Sequence, residues 1–414
     1  MINKLKNLGP GLLFAGAAIG VSHLVQSTRA GADFGLGLLW ALLLVNIFKY
    51  PFFQFGPRYA SATGESLLDG YNKLGKGVLA TYYVLNLATM FTIQTAVTIV
   101  TAGLASTLFG DFKAFSIGNK IISSTEIWTV IILIICLSLL IIGKYKLLDR
   151  LMKIIIITLT ITTIVAVSMA LGNSTEPISF KQILPKNSLE ITFLIAFMGW
   201  MPAPLDVSVW QSLWTNEKNK DTKEYTPKSA LFDFNIGYLS TIVLGIGFLL
   251  LGTLVMFNSG EIFSSSAGVF SGQLINMYTV SLGSWAYIII GIAAFTTMFS
   301  TTLTTLDASP RAMAKTTQLL FKKASKFNYI FWIALLTIGT ICIFFFLASE
   351  MGLLIKIATI LSFITAPFYA IINYTLISSK HTPKNWQPSK LLHVLCWLGI
   401  IFLIGFSIWF LTTL

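Results

Sequence analysis

Residues 9–23 read GPGLLFAGAAIGVSH, and residues 191–206 read ITFLIAFMGWMPAPLD. Each stretch belongs to an apolar segment long enough to cross a bilayer, and each carries small residues, proline or polar groups near its middle. A helix break at membrane depth exposes backbone groups that lipid cannot satisfy, so it persists only where it lines a cavity. One break at the start of each half of a chain predicts the central binding site of a secondary transporter.

The composition predicts a polytopic helical membrane protein. The chain has 414 residues, of which 55% are hydrophobic and 11% are charged, and long apolar runs recur along its whole length. Cys136, Cys342 and Cys396 all lie within apolar runs. We therefore interpret them as small hydrophobic residues rather than as disulfides or metal ligands.

The charge distribution predicts the topology. The formal net charge is +12, but the Lys and Arg residues are concentrated in alternate loops, which favours an orientation signal over a nucleic-acid-binding surface. This asymmetry places the N-terminus in the cytoplasm and the C-terminus outside. Pro310 is expected to end the eighth span, at about 283–307, with Asp307 and Arg311 paired one helical turn apart. The eleven predicted spans cover about 9–32, 36–60, 77–109, 124–143, 147–172, 189–214, 228–257, 283–307, 327–348, 351–378 and 390–412.

The two halves of the chain have the same organisation. Spans 1–5, at about 9–172, and spans 6–10, at about 189–378, each begin with a broken helix. Repeats with an odd number of spans insert in opposite senses, which predicts an inverted-topology pair with the span at about 390–412 as an extra helix. The predicted fold is therefore one all-α transmembrane domain over residues 1–414, a monomer or weak oligomer in the plasma or inner membrane.

Four stretches resemble the Nramp family of metal-ion transporters. They are GPGLLF at residues 9–14, RAGADFGLGLLW at 29–40, GWMP at 199–202 and TAPFY at 365–369. The resemblance runs in segment order over most of the chain. It implies the LeuT-like inverted-repeat architecture and transport of a divalent metal ion.

The functional motifs of the resembling family differ in this chain. The family carries Asp-Pro-Gly-Asn at the first break, where the Asp and Asn bind the metal, whereas this chain has Gly20–His23. The family's Met-Pro-His becomes Met201–Ala203, and a second His linked to proton movement becomes Ser208. The acidic pair of span 3 is missing from residues 89–96. Among the metal-binding residues only Met201 is kept, so a transported metal would have to retain much of its water, as Mg²⁺ can.

The central site between the two helix breaks, which lacks the family's acidic residue, is predicted to bind a compact anion. The half-helices starting near Ser22 and Ala203 are expected to point their N-termini at the cavity, each with unpaired N–H groups and about half a positive charge. Gly20 allows close approach to the backbone, Ser22 offers a hydroxyl and His23 a ring N–H. We predict a secondary active transporter of a small inorganic anion, first bicarbonate. The predicted substrate-binding residues are Gly20, Val21, Ser22, His23, Trp200, Met201, Pro202 and Ala203.

An anion that enters against a negative-inside potential needs an accompanying cation. Span 8 presents hydroxyls with helical spacing, which favours Na⁺ over H⁺ as the coupling ion, although such hydroxyls also bond within their own helix. Asp206 either binds the coupling cation or pairs with Arg29 or Lys49. His23 is either a ligand or a hydrogen-bond partner that joins the break to span 6 or 8. The predicted coupling-ion residues are Thr297, Thr301, Thr302 and Asp206.

The residue patterns do not predict an enzyme. The chain shows no Ser/His/Asp or Cys/His arrangement, no phosphate-binding glycine loop and no metal-ligand cluster, so neither a cofactor nor a resident metal is predicted. The predicted partners are a small inorganic ion and the lipid bilayer, without nucleic acid. Two alternatives to anion transport stay open, namely a divalent-metal transporter (Mg²⁺, or Mn²⁺ or Fe²⁺) and a non-transporting membrane sensor.

Overall fold

A computed structural model of the protein describes residues 8–117, 120–173, 178–221, 225–257, 264, 266–321, 328–347 and 351–412. These residues form helices and one short β-hairpin, β1 (Phe115–Ile117) with β2 (Lys120–Ile122). The α-helices are α1 (Pro10–Ala18), α2 (Thr28–Phe34), α3 (Leu39–Thr63), α4 (Leu67–Leu74), α5 (Lys76–Phe109), α6 (Ser124–Asn173), α7 (Ser188–Trp200), α8 (Val207–Asp221), α9 (Pro227–Val255), α10 (Ala267–Leu282), α11 (Ala286–Phe321), α12 (Asn328–Cys342), α13 (Met351–Ile377) and α14 (Lys390–Leu411). π-helical turns cover Val21–Ser27 and Ile343–Leu347, and 3₁₀ turns cover Gly35–Leu38 and Lys384–Trp386.

Within the described residues, nine stretches are long and apolar enough to cross a membrane. One of them, Pro10–Thr63, contains predicted spans 1 and 2, and span 6 is represented by the shorter apolar helix α7 followed by α8. The chain is thus a multi-pass helical membrane protein, as predicted. The number of eleven spans, the orientation of the termini and the oligomeric state stay predictions.

Both predicted helix breaks are present. In span 1, α1 ends at Ala18 and a π-helical turn begins at Val21, with Gly20 between them. In span 6, α7 ends at Trp200 and α8 begins at Val207. The sequence analysis placed this second start near Ala203, which was wrong. Ala203 precedes Pro204, and a residue before proline disfavours the α conformation, so the helix resumes only beyond it.

Helix α6 contains two of the predicted spans. Its Trp128 donates a hydrogen bond to the carbonyl of Gly110 at the end of α5, at 3.1 Å. Its Asp149 lies beside Gly9 at the start of α1, and its Thr163 packs against α9. The helix therefore leaves the end of α5, reaches the start of α1 and returns along α9, in agreement with predicted spans 4 and 5.

Two regions differ from the predicted organisation. Pro310 was expected to end span 8, but α11 continues through it to Phe321. Asp307 and Arg311 do pair as expected, with 2.6 Å between Oδ1 and Nη2. In the predicted loop at 258–282 the structure has helix α10, which packs against α5: a Cβ on Gly103 would lie 2.5 Å from the carbonyl oxygen of Ala267. With 16 residues, α10 is shorter than a typical membrane span, so the sequence did not indicate it as one.

Glycines bring the start of span 1 against span 7. A Cβ on Gly237 of α9 would lie 2.0 Å from the carbonyl oxygen of Gly11, and one on Gly11 would lie 2.0 Å from the carbonyl oxygen of Asp233. The carboxylate of Asp233 accepts hydrogen bonds from the amides of Gly9, at 3.1 Å, and Gly11, at 2.8 Å. These contacts fix α1 on α9, because small residues allow helix backbones to approach closely.

Gly237→Ala is expected to lower stability by about 1–3 kcal/mol, because the added methyl group overlaps the backbone of α1. The matched control is Gly272→Ala on α10, where a Cβ meets no atom within 4 Å. Thermal unfolding of the purified proteins in detergent measures the difference. Equal melting temperatures for the two variants would contradict the close packing of α1 on α9.

Candidate functional site

A small cavity lies between the two helix breaks. It leaves about 30 Å³ for water-sized spheres, which is enough for one or two water molecules. Most of its wall is apolar, and its side-chain polar groups include the hydroxyls of Ser22, Thr301 and Thr305. The residues that line it are Ala17, Ala18, Val21, Ser22, Ile93, Val97, Trp200, Ala203, Pro204, Val207, Trp210, Thr301 and Thr305.

Gly20 is the point where span 1 approaches span 8. A Cβ at this position would lie 2.5 Å from Thr301 Oγ1 and 2.8 Å from its methyl carbon. Only a residue without a side chain lets α11 come this close to the break. Gly20 therefore serves the contact between the two spans, while its neighbours Val21 and Ser22 line the cavity.

Ser22 and His23 hold the break by hydrogen bonds. The Ser22 hydroxyl lies 2.7 Å from the carbonyl oxygen of Ala18 and 2.6 Å from His23 Nδ1. His23 is fully buried, and its Nε2 lies 2.9 Å from the carbonyl oxygen of Thr241 on α9. The sequence analysis expected a structural His23 to join span 6 or 8, which was wrong: the ring bonds to span 7. Its ring does not line the described cavity.

The predicted residues of span 6 divide into two groups. Trp200 and Ala203 line the cavity, and the Trp200 indole donates to Ser362 Oγ on α13 at 2.9 Å. Met201 and Pro202, which are joined by a cis peptide bond, do not line it, but the Pro202 carbonyl oxygen lies 3.3 Å from the Ser22 hydroxyl. The Met201 sulfur lies against α9, 3.6 Å from the position that a Cβ on Gly245 would take.

Five oxygen atoms converge where span 1 meets span 8. Ser300 Oγ lies 2.7 Å from the carbonyl oxygen of Thr297 and 3.4 Å from that of Gly16. Thr301 Oγ1 lies 3.1 Å from the Gly16 carbonyl oxygen and 3.3 Å from those of Ile19 and Thr297. We call these the five-oxygen cluster. It includes predicted residues Thr297, through its carbonyl, and Thr301.

Sequence reasoning missed three members of the five-oxygen cluster and misplaced Thr302. The carbonyls of Gly16 and Ile19 became available because α1 ends at Ala18, which leaves its last carbonyls without helical partners. Ser300 was seen among the hydroxyls of span 8 but was not assigned to the site. Thr302 faces α5 instead, with its hydroxyl 2.8 Å from Thr101 Oγ1.

The ammonium group of Lys49 lies in the break of span 6. Lys49 is fully buried on α3, and its Nζ is 2.9 Å from the carbonyl oxygen of Met198, 2.8 Å from that of Gly199 and 3.1 Å from that of Met201. The carbonyl of Ala203, a wall residue of the cavity, is 3.4 Å away. The sequence showed only an isolated Lys in an apolar run, without its partners.

Asp206 lies at the other side of the same break. Its buried carboxylate interacts electrostatically with the backbone amides of Asp206 and Val207, at the start of α8. It interacts electrostatically with Lys49, whereas Arg29 interacts with Asp33 and stacks over the Phe193 ring. Of the two expected partners, Lys49 is therefore the one that the structure provides. Asp206 Oδ1 has no hydrogen-bond partner among the described residues.

The carboxylate of Asp206 changes the electrostatics expected for the site. The sequence analysis expected both half-helix N-termini to face the cavity with unpaired amides, but Asp206 already occupies the start of α8. No group of three or more His, Cys, Asp or Glu residues that could hold a metal occurs in the part of the chain that the structure describes. The site thus offers uncharged oxygens to an ion.

Comparison with solved structures assigns the fold. A manganese transporter of Eremococcus coleocola, in complex with an aromatic bis-isothiourea compound, superposes with a TM-score of 0.74 at 13% identity, over 98% of this chain and 85% of that one. Mhp1, a nucleobase-cation-symport-1 family transporter, gives a TM-score of 0.63 at 12% identity, over 98% and 93% of the two chains. The fold is therefore the LeuT-like transporter fold that the resemblance to the Nramp family implied.

Comparison of sequences assigns the family. An uncharacterized protein of Pasteurella multocida (strain Pm70) is 35% identical over 415 aligned residues, which cover 99% of this chain and 92% of that protein. The family model described as natural resistance-associated macrophage protein-like matches residues 11–413. The resemblance seen in the four short motifs thus extends over nearly the whole chain, which belongs to the Nramp family.

Proposed function

We propose that the protein is a Na⁺-coupled secondary active transporter that moves a small inorganic ion between its two broken helices. The family and the fold are those of membrane transporters, which are not enzymes. The five-oxygen cluster is the observation that supports Na⁺ as the coupling ion. Half-helix carbonyl ends next to an unwound segment are the groups that bind Na⁺ or H⁺ in transporters of this architecture.

The chemistry of the five-oxygen cluster favours a monovalent cation. All its members are oxygens, which suit hard cations, and none is a carboxylate, whereas Ca²⁺ and Mg²⁺ sites normally include carboxylates. The carbonyls of Gly16 and Ile19 stand at the C-terminal end of α1, which carries about half a negative charge. This partial negative charge is enough to attract a cation with a single positive charge.

The position of the cluster supports coupling of the ion to a conformational change. Its atoms come from span 1 and from α11, and α11 packs along α5, whereas α1 is fixed on α9. A cation bound there holds span 1 against span 8. Because a ligand shifts a conformational equilibrium only by binding one state better, the bound ion favours the state in which these spans touch.

A divalent metal ion is the first candidate for the transported ion. Family membership supports it, and a related fold is that of a manganese transporter. The lining described for this chain offers hydroxyl and carbonyl oxygens but no carboxylate, imidazole or thioether. The missing carboxylate disfavours a divalent ion that has lost its water, so the lining ranks Mg²⁺, which keeps several of its waters, above Mn²⁺ or Fe²⁺ bound through soft or charged ligands.

Bicarbonate is the second candidate, and Lys49 is the observation that favours it. The ammonium group lies 3.4 Å from the carbonyl of Ala203, which is part of the cavity wall, and acidic side chains do not line the described cavity. A nearby positive charge attracts anions. The carboxylate of Asp206 offsets this charge, which is why the anion ranks second.

Thr301→Val and Ser300→Ala are expected to raise the Na⁺ concentration for half-maximal uptake by about tenfold or more, because each loses a cation ligand worth about 1.5 kcal/mol. Thr296→Val is the control, since its hydroxyl bonds only to carbonyls of its own helix. Uptake into proteoliposomes is measured while Na⁺ is titrated at fixed pH. Uptake that is unchanged on replacing Na⁺ with choline, yet abolished by a protonophore, would make H⁺ the coupling ion.

Proteoliposomes offered Mg²⁺, Mn²⁺ and bicarbonate side by side are expected to show saturable Mg²⁺ uptake and no Mn²⁺ uptake of micromolar affinity. Robust Mn²⁺ uptake that is lost in Met201→Ala would show that the thioether is a metal ligand and the oxygen-only site is wrong. Na⁺-dependent bicarbonate uptake without metal uptake would assign the second candidate. Saturable binding of an ion with no uptake would indicate a sensor.

A further inference from the structure

The break in span 6 leaves backbone carbonyls that the helix itself cannot satisfy. In an α-helix the carbonyl of residue 198 bonds to the amide of residue 202, and that of residue 200 to the amide of residue 204. Both later positions are prolines, Pro202 and Pro204, which have no N–H. The sequence therefore removes two donors in succession from the end of α7, at a depth where water is excluded.

The Lys49 ammonium supplies the donor that Pro202 cannot give to the Met198 carbonyl, and it reaches three further carbonyls of the break. It bonds to the carbonyls of Met198, Gly199 and Met201 at 2.8–3.1 Å, with that of Ala203 at 3.4 Å. Three close carbonyl acceptors require three N–H groups, which only the protonated amine has. The carbonyl oxygens of Met198, Gly199, Met201 and Ala203 thus surround the ammonium group. We call these four oxygens the carbonyl cage.

We propose that this carbonyl cage is a cation-binding site that Lys49 occupies permanently, and that the tethered ammonium sets the shape of the span 6 break. In this role Lys49 is a positioning residue: it holds the wall of the cavity through Ala203 without being part of its lining. Without the side chain, the cage becomes an open site for a small cation that can donate hydrogen bonds, such as a primary alkylammonium ion. The inference goes beyond the proposed transport function and does not depend on which ion is carried.

The alternative is that Lys49 is only half of a buried ion pair. Among the described residues, no carboxylate oxygen lies within 4.0 Å of its ammonium, and its electrostatic partner Asp206 lies next to Val207, where α8 begins. Each charged group therefore lies at the end of a different half-helix: Lys49 at the carbonyl end of α7, and Asp206 at the amide end of α8. In both places the charge has the opposite sign to the partial charge of the helix end that it meets, which is favourable.

Chemical rescue tests the cage. Lys49→Ala removes the atoms equivalent to propylammonium, and Lys49→Met keeps the volume but removes the charge and the donors. Purified proteins are melted in detergent with increasing propylammonium or tetramethylammonium, which has no N–H. We expect lower melting temperatures for both variants than for wild type, and saturable recovery of Lys49→Ala by propylammonium alone. Wild type, Lys49→Met and the exposed control Lys390→Ala should not respond to either ion.

Three results would overturn the proposal. One is a wild-type melting temperature for Lys49→Met, because the cage would then need no cation. The second is equal recovery by the two ammonium ions, because hydrogen bonding to carbonyls would then be irrelevant. The third is a response of Lys49→Met equal to that of Lys49→Ala, because its filled cage has no room for propylammonium. Should Lys49→Ala yield no folded protein, the melting temperature of Lys49→Met decides, without any assay of transport.

Discussion

Backbone groups that are freed inside the membrane by the breaks in spans 1 and 6 are the constraint on which the rest of the structure depends. Each unpaired carbonyl or amide there costs several kcal/mol, so every break needs partners from elsewhere in the fold. Span 1 receives them from uncharged hydroxyls, those of Ser22, Ser300 and Thr301. Span 6 receives them from two charged side chains, Lys49 and Asp206.

These two solutions have different consequences for function. A hydroxyl that bonds to a carbonyl can rotate its proton away and present a lone pair, so a cation can enter among the same oxygens. An ammonium tethered by α3 cannot leave its carbonyls without moving the helix that carries it. In the proposed function, span 1 is therefore the part of the site where an ion is exchanged, and span 6 is a fixed wall.

The sequence predicted the breaks because their causes are local. Gly20 and the closely spaced Pro202 and Pro204 weaken their helices locally, and their position at the start of each half indicated the inverted repeat. A single proline such as Pro310 is accommodated within a helix. The partners of the breaks could not be predicted in the same way. Lys49 bonds to residues about 150 positions later in the chain, and His23 to a carbonyl 218 positions later. Backbone carbonyls leave no mark in a sequence, so Gly16 and Ile19 were invisible as ligands.

The charge arrangement also limits what the cavity can select. In the resembling family an acidic side chain stands at the first break, whereas here Gly20 stands there and the fixed charges lie in the other broken helix, where they balance each other. A neutral, largely apolar cavity with a few hydroxyls cannot offset the loss of a divalent ion's full hydration shell. An ion that enters must therefore keep part of its water or enter together with a second ion of opposite charge. The first condition suits Mg²⁺, and the second makes a coupled cation at the five-oxygen cluster a requirement for transporting an anion.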